Sequence, residues 1–217
     1  MITVWGEGRG FRVVWLLEEM GLPYRLRDVD LLAGVENDPE FLAVNPSGFI
    51  PALVDGDVTM VESIAIMEYL VARHGPTPLA PDASDPAFGR YLQFLHLGEA
   101  GLAMAWYVVN CSTNLAPEGE KDNWGSRFAR GIYESRLALV TRQLAAAPFL
   151  AGERFTAADI SVTYALEYAQ RGGFRFDEAV RAYLARVTSR PGYRRAMATC
   201  HATRGWVESL QLDSPTR

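Results

Sequence analysis

Cysteine is scarce in this chain. Cys111 and Cys200 are the two thiols among 217 residues, and no Cys-x-x-Cys pair occurs. That excludes a disulfide framework and fits a reducing, cytoplasmic compartment. His74, His96 and His201 are equally sparse and do not cluster, so no metal is expected. Positive charge is in deficit: 21 Lys and Arg face 26 Asp and Glu, and the net charge of −5 argues against a nucleic-acid partner. No apolar run approaches the roughly 20 residues that span a bilayer, so no membrane association is expected. The opening Met1-Ile2-Thr3-Val4-Trp5 lacks the basic-then-apolar pattern of a secretory signal. Glycines alternate through Gly6-Glu7-Gly8-Arg9-Gly10, but no Gly-Lys-Ser/Thr follows, which speaks against a phosphate loop. No internal repeat is visible.

What is present is enough apolar material for a real core. Hydrophobic residues make up 49% of the chain, whose length suits one large domain or two small ones. Ile2 to Trp5 reads as a short buried strand. Phe11 to Met20 reads as a helix with Val13, Val14, Leu16, Leu17 and Met20 on its apolar side, capped by Gly21 and stopped by Pro23. Tyr24 to Val29 is the next strand, and Asp38-Pro39 starts a short helix through Val44.

The stretch from Val44 to Ser63 organises the rest. Asn45-Pro46-Ser47-Gly48 is a turn cluster. Ala52-Leu53-Val54 and Val58-Thr59-Met60-Val61 flank the hairpin signal Asp55-Gly56. Pro51 lacks a ladder donor, so it belongs at a strand start or a tight bend. Glu62-Ser63 opens an amphipathic helix and admits two readings: helix capping by an acid and a hydroxyl, or an anion site where free N–H groups and a hydroxyl hold a carboxylate. The order strand, helix, strand, helix, hairpin, helix is thioredoxin-like, with a parallel pair and added antiparallel strands.

His74-Gly75-Pro76-Thr77-Pro78-Leu79-Ala80-Pro81-Asp82 cannot continue a helix and reads as a linker. Domains are accordingly expected over 1–75 and 87–217, joined by 76–86. Everything beyond the linker reads helical. Phe88, Tyr91, Leu92, Leu95 and Leu102 have helical spacing, Asn110 to Asp122 reads as a loop, and Trp124 to Ala147 as a helix with Phe128, Ile132, Leu139 and Leu144 inward. Thr156-Ala157-Ala158-Asp159 is a capping-box variant, flanked by Phe155 and Ile160 as a hydrophobic staple. Asp177 to Ser189 is a further helix, stopped by Arg190-Pro191, and a short helix with a polar tail ends the sequence.

Asn45-Pro46-Ser47-Gly48-Phe49-Ile50-Pro51-Ala52-Leu53, a hairpin, and Glu62-Ser63 at the head of a helix together resemble the glutathione-binding half of the cytosolic, bacterial-like glutathione transferases. The Thr156–Asp159 element resembles the helical domain of the same family. The resemblance implies a thioredoxin-like α/β N-terminal domain, an all-helical C-terminal domain, a homodimer, and glutathione as co-substrate. It implies a cis Ile50-Pro51 bond, although cis is the minority form of X-Pro bonds. Ile50 and Pro51 would bind the peptide backbone of glutathione, and Glu62 and Ser63 its γ-glutamyl end. Phe49 stands where many relatives carry lysine.

The implied chemistry is conjugation of glutathione to a small hydrophobic electrophile, a detoxification reaction, through its thiolate. Glutathione-dependent reduction or peroxidase activity, or a non-catalytic glutathione- or protein-binding module, are the alternatives. A free thiol titrates near about 8.5, so activation needs a donor or a positive charge at the sulfur. Relatives supply Tyr, Ser or Cys near the first strand. Here alignment brings Trp5, Glu7 or Arg9 to those places, and no hydroxyl or thiol lies between Thr3 and Tyr24. The remaining candidates are the backbone at Gly10 and Phe11 and the guanidinium of Arg9 or Arg12, with the opposing reading of both arginines as solvated surface charges. A pocket for the second substrate is expected between the domains, at Met104, Trp106, Tyr107 and Cys111, with Trp206 closing over it.

Overall fold

In a computed structural model, which describes residues 1–31 and 33–203, the chain forms two compact units. One comprises Met1–Thr77 and the segment that begins at Thr188; the other is Pro78–Val187. The last described helix therefore belongs with the N-terminal unit, whereas the sequence groups everything from residue 87 onward together. Among the described residues no helix is long and apolar enough to cross a membrane.

The first unit is a mixed sheet with helices. Strands β1 (Ile2–Trp5), β2 (Tyr24–Arg27), β3 (Ala52–Asp55) and β4 (Val58–Val61) lie in the order β2-β1-β3-β4. β1 pairs parallel with β2, and antiparallel with β3 in a register that sets Trp5 beside Ala52. Gly56, with φ 61°, and Asp57 close the β3–β4 hairpin. α1 (Phe11–Met20) is buried around most of its circumference, which its mixed sequence does not advertise: Arg12 and Trp15 are buried along with Val13, Val14, Leu16 and Leu17. Gly21 ends it in the left-handed conformation expected of a C-terminal glycine. α2 (Pro39–Val44) is capped by Asp38, whose carboxylate accepts from the Phe41 N–H at 3.0 Å. Phe41 then packs with Trp5 and Ala52. α3 (Ser63–Arg73) follows the hairpin.

The C-terminal helix α9 (Pro191–Thr199) packs on α1 because charge and shape agree there. Glu19 receives Arg190 through both carboxylate oxygens, at 2.9 and 2.7 Å, as well as the Trp15 indole N–H at 3.0 Å. Tyr193 stands edge-on to Phe11 and Trp15. A β-carbon on Gly192 would come within 2.6 Å of the Glu19 carboxyl carbon, so this close approach requires glycine.

The second unit is helical. α4 (Phe88–His96) runs through a π-helical stretch (Leu97–Ala103) into α5 (Met104–Asn110) and a second π-helical turn (Cys111–Leu115). Helix thus continues six residues, Asn110 to Leu115, into the stretch read from sequence as a loop; its breakers, Pro117 and Gly119, come later. α6 (Trp124–Leu144) buries Ser126, Ala129, Tyr133 and Val140. Phe128, expected inward, is 58% exposed and stacks flat on Trp124, itself 71% exposed. The small residues Ser126 and Ala129 take the packed face, which turns the adjacent Phe128 outward. α7 (Ala157–Arg171) and α8 (Glu178–Thr188) complete the unit.

The capping box at the head of α7 is complete, and Asp159 does more than cap. Its carboxylate accepts from the Leu150 N–H (3.0 Å), the Thr156 N–H (2.8 Å), the Thr156 hydroxyl (3.2 Å) and the Tyr183 hydroxyl (3.0 Å). Burial pushes the Asp159 carboxyl up to about 6, against the pull of those donors. A pKa raised on folding means that the folded state binds the proton more tightly. The contribution is therefore complete well below pH 4 and is lost as pH rises through about 6. Acidification from pH 7.5 to 5 should stabilise the wild type relative to Asp159→Asn by on the order of 1–2 kcal/mol, read from paired denaturant curves. A difference independent of pH would place the Asp159 carboxyl in its ordinary range.

Candidate functional site

Segments far apart in sequence meet around the end of β1. The loop after β1 bends at Gly6 (φ 83°) and Gly8 (φ 60°), then forms a single 3-10 turn over Gly8–Gly10 that leads into α1. The Gly6 N–H donates to the Arg27 carbonyl at 2.8 Å, which ties the loop to β2. Ile50 lies against this loop: a β-carbon on Gly6 would fall 2.3 Å from Ile50 Cγ2. A β-carbon on Gly10 would fall 3.2 Å from Pro51 Cβ and 3.8 Å from Val4 Cγ1. The turn that delivers Ile50 is built by Asn45, whose buried side chain accepts from the Ser47 N–H (3.0 Å) and hydroxyl (2.6 Å) and donates to the Phe49 carbonyl. The Ile50-Pro51 peptide bond is cis, as is Gly75-Pro76. Among the described residues no hydrogen bond engages the N–H or C=O of Ile50. Phe49 is 75% exposed.

The head of α3 completes the cluster. Glu62 takes φ 71°, a region costly for any residue with a side chain, and its carboxylate does not cap the helix. The first intrahelical bond runs from Ile66 N to Glu62 O, leaving earlier donors to other acceptors. Ser63 is buried, and its hydroxyl accepts from Arg12 Nη1 at 3.1 Å rather than bonding its own helix. Capping, one of the two readings of Glu62-Ser63, is thus not what these side chains do. Buried Arg12 is likewise no solvated surface charge.

Comparison with known proteins bears on what this cluster serves. The family model for the glutathione S-transferase N-terminal domain matches residues 2–72, and that for the C-terminal domain matches residues 120–198. Glutathione S-transferase 3 of Schizosaccharomyces pombe is 33% identical over 177 residues, covering 76% of this chain and 72% of that protein. The chain belongs to the glutathione S-transferase family. GstB of Escherichia coli K12, a glutathione S-transferase, is 29% identical over 75% of this chain and 80% of its own length. Among solved structures, the glutathione transferase URE2P6 of Phanerochaete chrysosporium, in complex with oxidised glutathione, superposes with a TM-score of 0.81. It is 26% identical and covers 91% of this chain and 95% of its own. The theta-class enzyme of Xanthomonas axonopodis pv. citri, with glutathione bound, gives 0.75 at 29% identity, over 90% and 96% of the two chains.

Seen as a glutathione transferase, the chain places its expected site residues unevenly. Gly10, Ile50 and Pro51 are brought together, and Arg12 joins α1 to Ser63. The Gly10 N–H donates to the Glu7 carbonyl at 3.0 Å and the Phe11 N–H to the Gly8 carbonyl, so both backbone donors proposed for an anion are already engaged. Arg9 is half-buried in the same turn. Trp5 is a core residue, stacked on Phe41 and under the Arg27 guanidinium, with its indole N–H buried. Glu7 turns its carboxylate to the Ala202 N–H (3.2 Å), the Thr203 N–H (2.7 Å) and the Thr203 hydroxyl (2.9 Å).

The residues expected around a second substrate differ in setting. Trp106 is buried among Tyr133 and Phe174, Met104 and Tyr107 are exposed, and Cys111 is half-buried. Trp206 lies outside the described residues.

The backbone of Glu62 gives a direct test of the geometry. At a helix N-cap glycine is already favoured over alanine, and at φ 71° it is in addition free of the steric cost. Glu62→Gly should exceed Glu62→Ala in stability by about 1 kcal/mol in denaturant unfolding. The reverse order would mean that residue 62 relaxes out of this conformation in solution.

Proposed function

We propose that this protein binds glutathione along Ile50, Pro51, Glu62 and Ser63 and conjugates it to a small hydrophobic electrophile. Family membership supports a glutathione-dependent, transferase-type activity. The observation that carries the site is the head of α3, where neither Glu62 nor Ser63 caps the helix and a buried guanidinium stands behind the Ser63 hydroxyl. N–H dipole, hydroxyl and positive charge all favour a carboxylate there. The N–H and C=O of Ile50, unengaged among the described residues, offer a peptide the pairing that an extended strand would give.

In this reading the thiol of bound glutathione loses its proton to solvent, and the thiolate sulfur forms the new bond to an electrophilic carbon. That carbon either releases a leaving group with its bonding pair or, in an addition, passes its π pair to the neighbouring atom, which solvent protonates. A lowered thiol pKa raises the reactive fraction at neutral pH. Arg9, the basic residue of the turn after β1, is the side chain we assign to that stabilisation, with Gly10 holding the turn's shape. Met104, Tyr107 and Cys111 are the candidates for contact with the hydrophobic co-substrate. Buried Trp106 would act behind them. A cytoplasmic homodimer fits the family and the two free cysteines. One observation favours a second reading, a non-catalytic binding module: the loop after β1 has no hydroxyl or thiol, and Trp5 at its edge is sealed in the core.

Calorimetry and titration separate the two. Ser63→Ala should weaken glutathione binding by about 1–3 kcal/mol, since a charged carboxylate loses a donor. Thiolate absorbance should show a pKa below the free value in the wild-type complex, and Arg9→Ala should raise it and lower kcat more than affinity. Binding with an unshifted thiol pKa would establish the binding module instead, and no binding at millimolar glutathione would overturn the proposal.

A further inference from the structure

The head of α3 is backed by a charge that sequence patterning hides. Arg12 is fully buried at the second position of α1, and its Nη1 lies 3.1 Å from Ser63 Oγ, 51 residues away in sequence. A guanidinium has donors only, so the direction of this bond is fixed: Oγ accepts. A serine hydroxyl has one proton and two lone pairs. With one lone pair given to a cation, the hydroxyl proton turns away from the guanidinium, and the O–H is polarised toward whatever acceptor lies on the other side. Ser63 makes no other side-chain hydrogen bond among the described residues. Its helix begins there with uncapped donors.

The geometry points to Arg12 as a positioning residue for the γ-glutamyl carboxylate. It does not touch the ligand. It aims the Ser63 hydroxyl and sets a positive charge behind it, so that the site selects a carboxylate over a neutral amide. This inference rests on the glutathione-binding reading above.

The test is a double-mutant cycle by calorimetry on wild type, Arg12→Met, Ser63→Ala and the double variant, with Arg12→Lys as the conservative change. The probes are glutathione, γ-glutamylcysteine and cysteinylglycine, the last lacking the γ-glutamyl carboxylate. Arg12→Met should weaken both γ-glutamyl thiols by about tenfold and leave cysteinylglycine unchanged. Arg12→Lys should recover part of the loss. In the Ser63→Ala background Arg12→Met should cost clearly less than it does in the wild type, because the part of its effect carried by the aimed hydroxyl is already gone and only the field of the charge remains. With an electrophile present, the Arg12 effect should fall on KM for glutathione rather than on kcat. Equal losses on all three thiols, or losses that multiply in the double variant, would make Arg12 a structural residue while glutathione binding stands. A wild type that binds neither γ-glutamyl thiol would overturn the functional reading and this inference together. If Arg12→Met does not fold, Arg12→Lys decides by the same comparison between γ-glutamyl thiols and cysteinylglycine, since it keeps the charge and changes only its reach and geometry.

Discussion

No β-carbon fits at Gly6 where the loop after β1 crosses Ile50, and the fit is tight at Gly10 against Pro51. Much of the N-terminal unit depends on that closeness. It brings a loop and a bend together at the end of β1. It also lets Trp5, one residue before the loop, pack with Ala52, one residue after Pro51, through the β1–β3 register. Phe41 closes the cluster from α2, and Val35, Val44 and Ile50 pack around it. Site and core are therefore one piece of packing. A side chain added at Gly6 would have to move Ile50, and it would do so at a backbone angle of 83° that L-residues rarely adopt.

Local signals explain why most of the architecture could be read in advance. The left-handed cap at Gly21, the Asp38 cap before Pro39, the hairpin at Gly56 and the capping box at Thr156 each arise from the chemistry of a few adjacent residues. Glu62-Ser63 was legible as a helix start, and its two readings could not be separated, because a hydroxyl that caps and a hydroxyl that binds look alike in sequence. The contact that takes the Ser63 hydroxyl away from its own helix comes from Arg12 across the fold.

The features that sequence concealed share that origin. An arginine between apolar neighbours reads as solvated, since burying a charge is costly without partners that only tertiary structure supplies. α1 is enclosed on nearly all sides, so its periodicity shows no polar face on which to place Arg12. The glycine and serine content around α6 hid the opposite error. Phe128 has the spacing of a core residue, yet Ala129 and Ser126 occupy the packed side. Continuation of helix through Cys111–Leu115 in π-helical form also left no mark, because polar Ser112, Thr113 and Asn114 suit a loop equally well.

The same long-range bonding sets the field around Glu7. A carboxylate in the loop after β1 would oppose a thiolate if its field pointed there. Here both of its oxygens are engaged by two backbone N–H groups and a hydroxyl from Ala202 and Thr203. Those donors offset its charge locally and hold it toward the C-terminal segment. The burial of Glu7 is thus an arrangement between the loop and a segment nearly two hundred residues later. Beside that engaged acid, the ionic groups of the loop and the head of α3 include Arg9 in the turn, Arg12 behind Ser63 and the Glu62 carboxylate at the helix start. Under the proposed glutathione-binding reading, negative charge would be stabilised by fixed cations and oriented dipoles rather than by a hydroxyl that shares its proton with the sulfur.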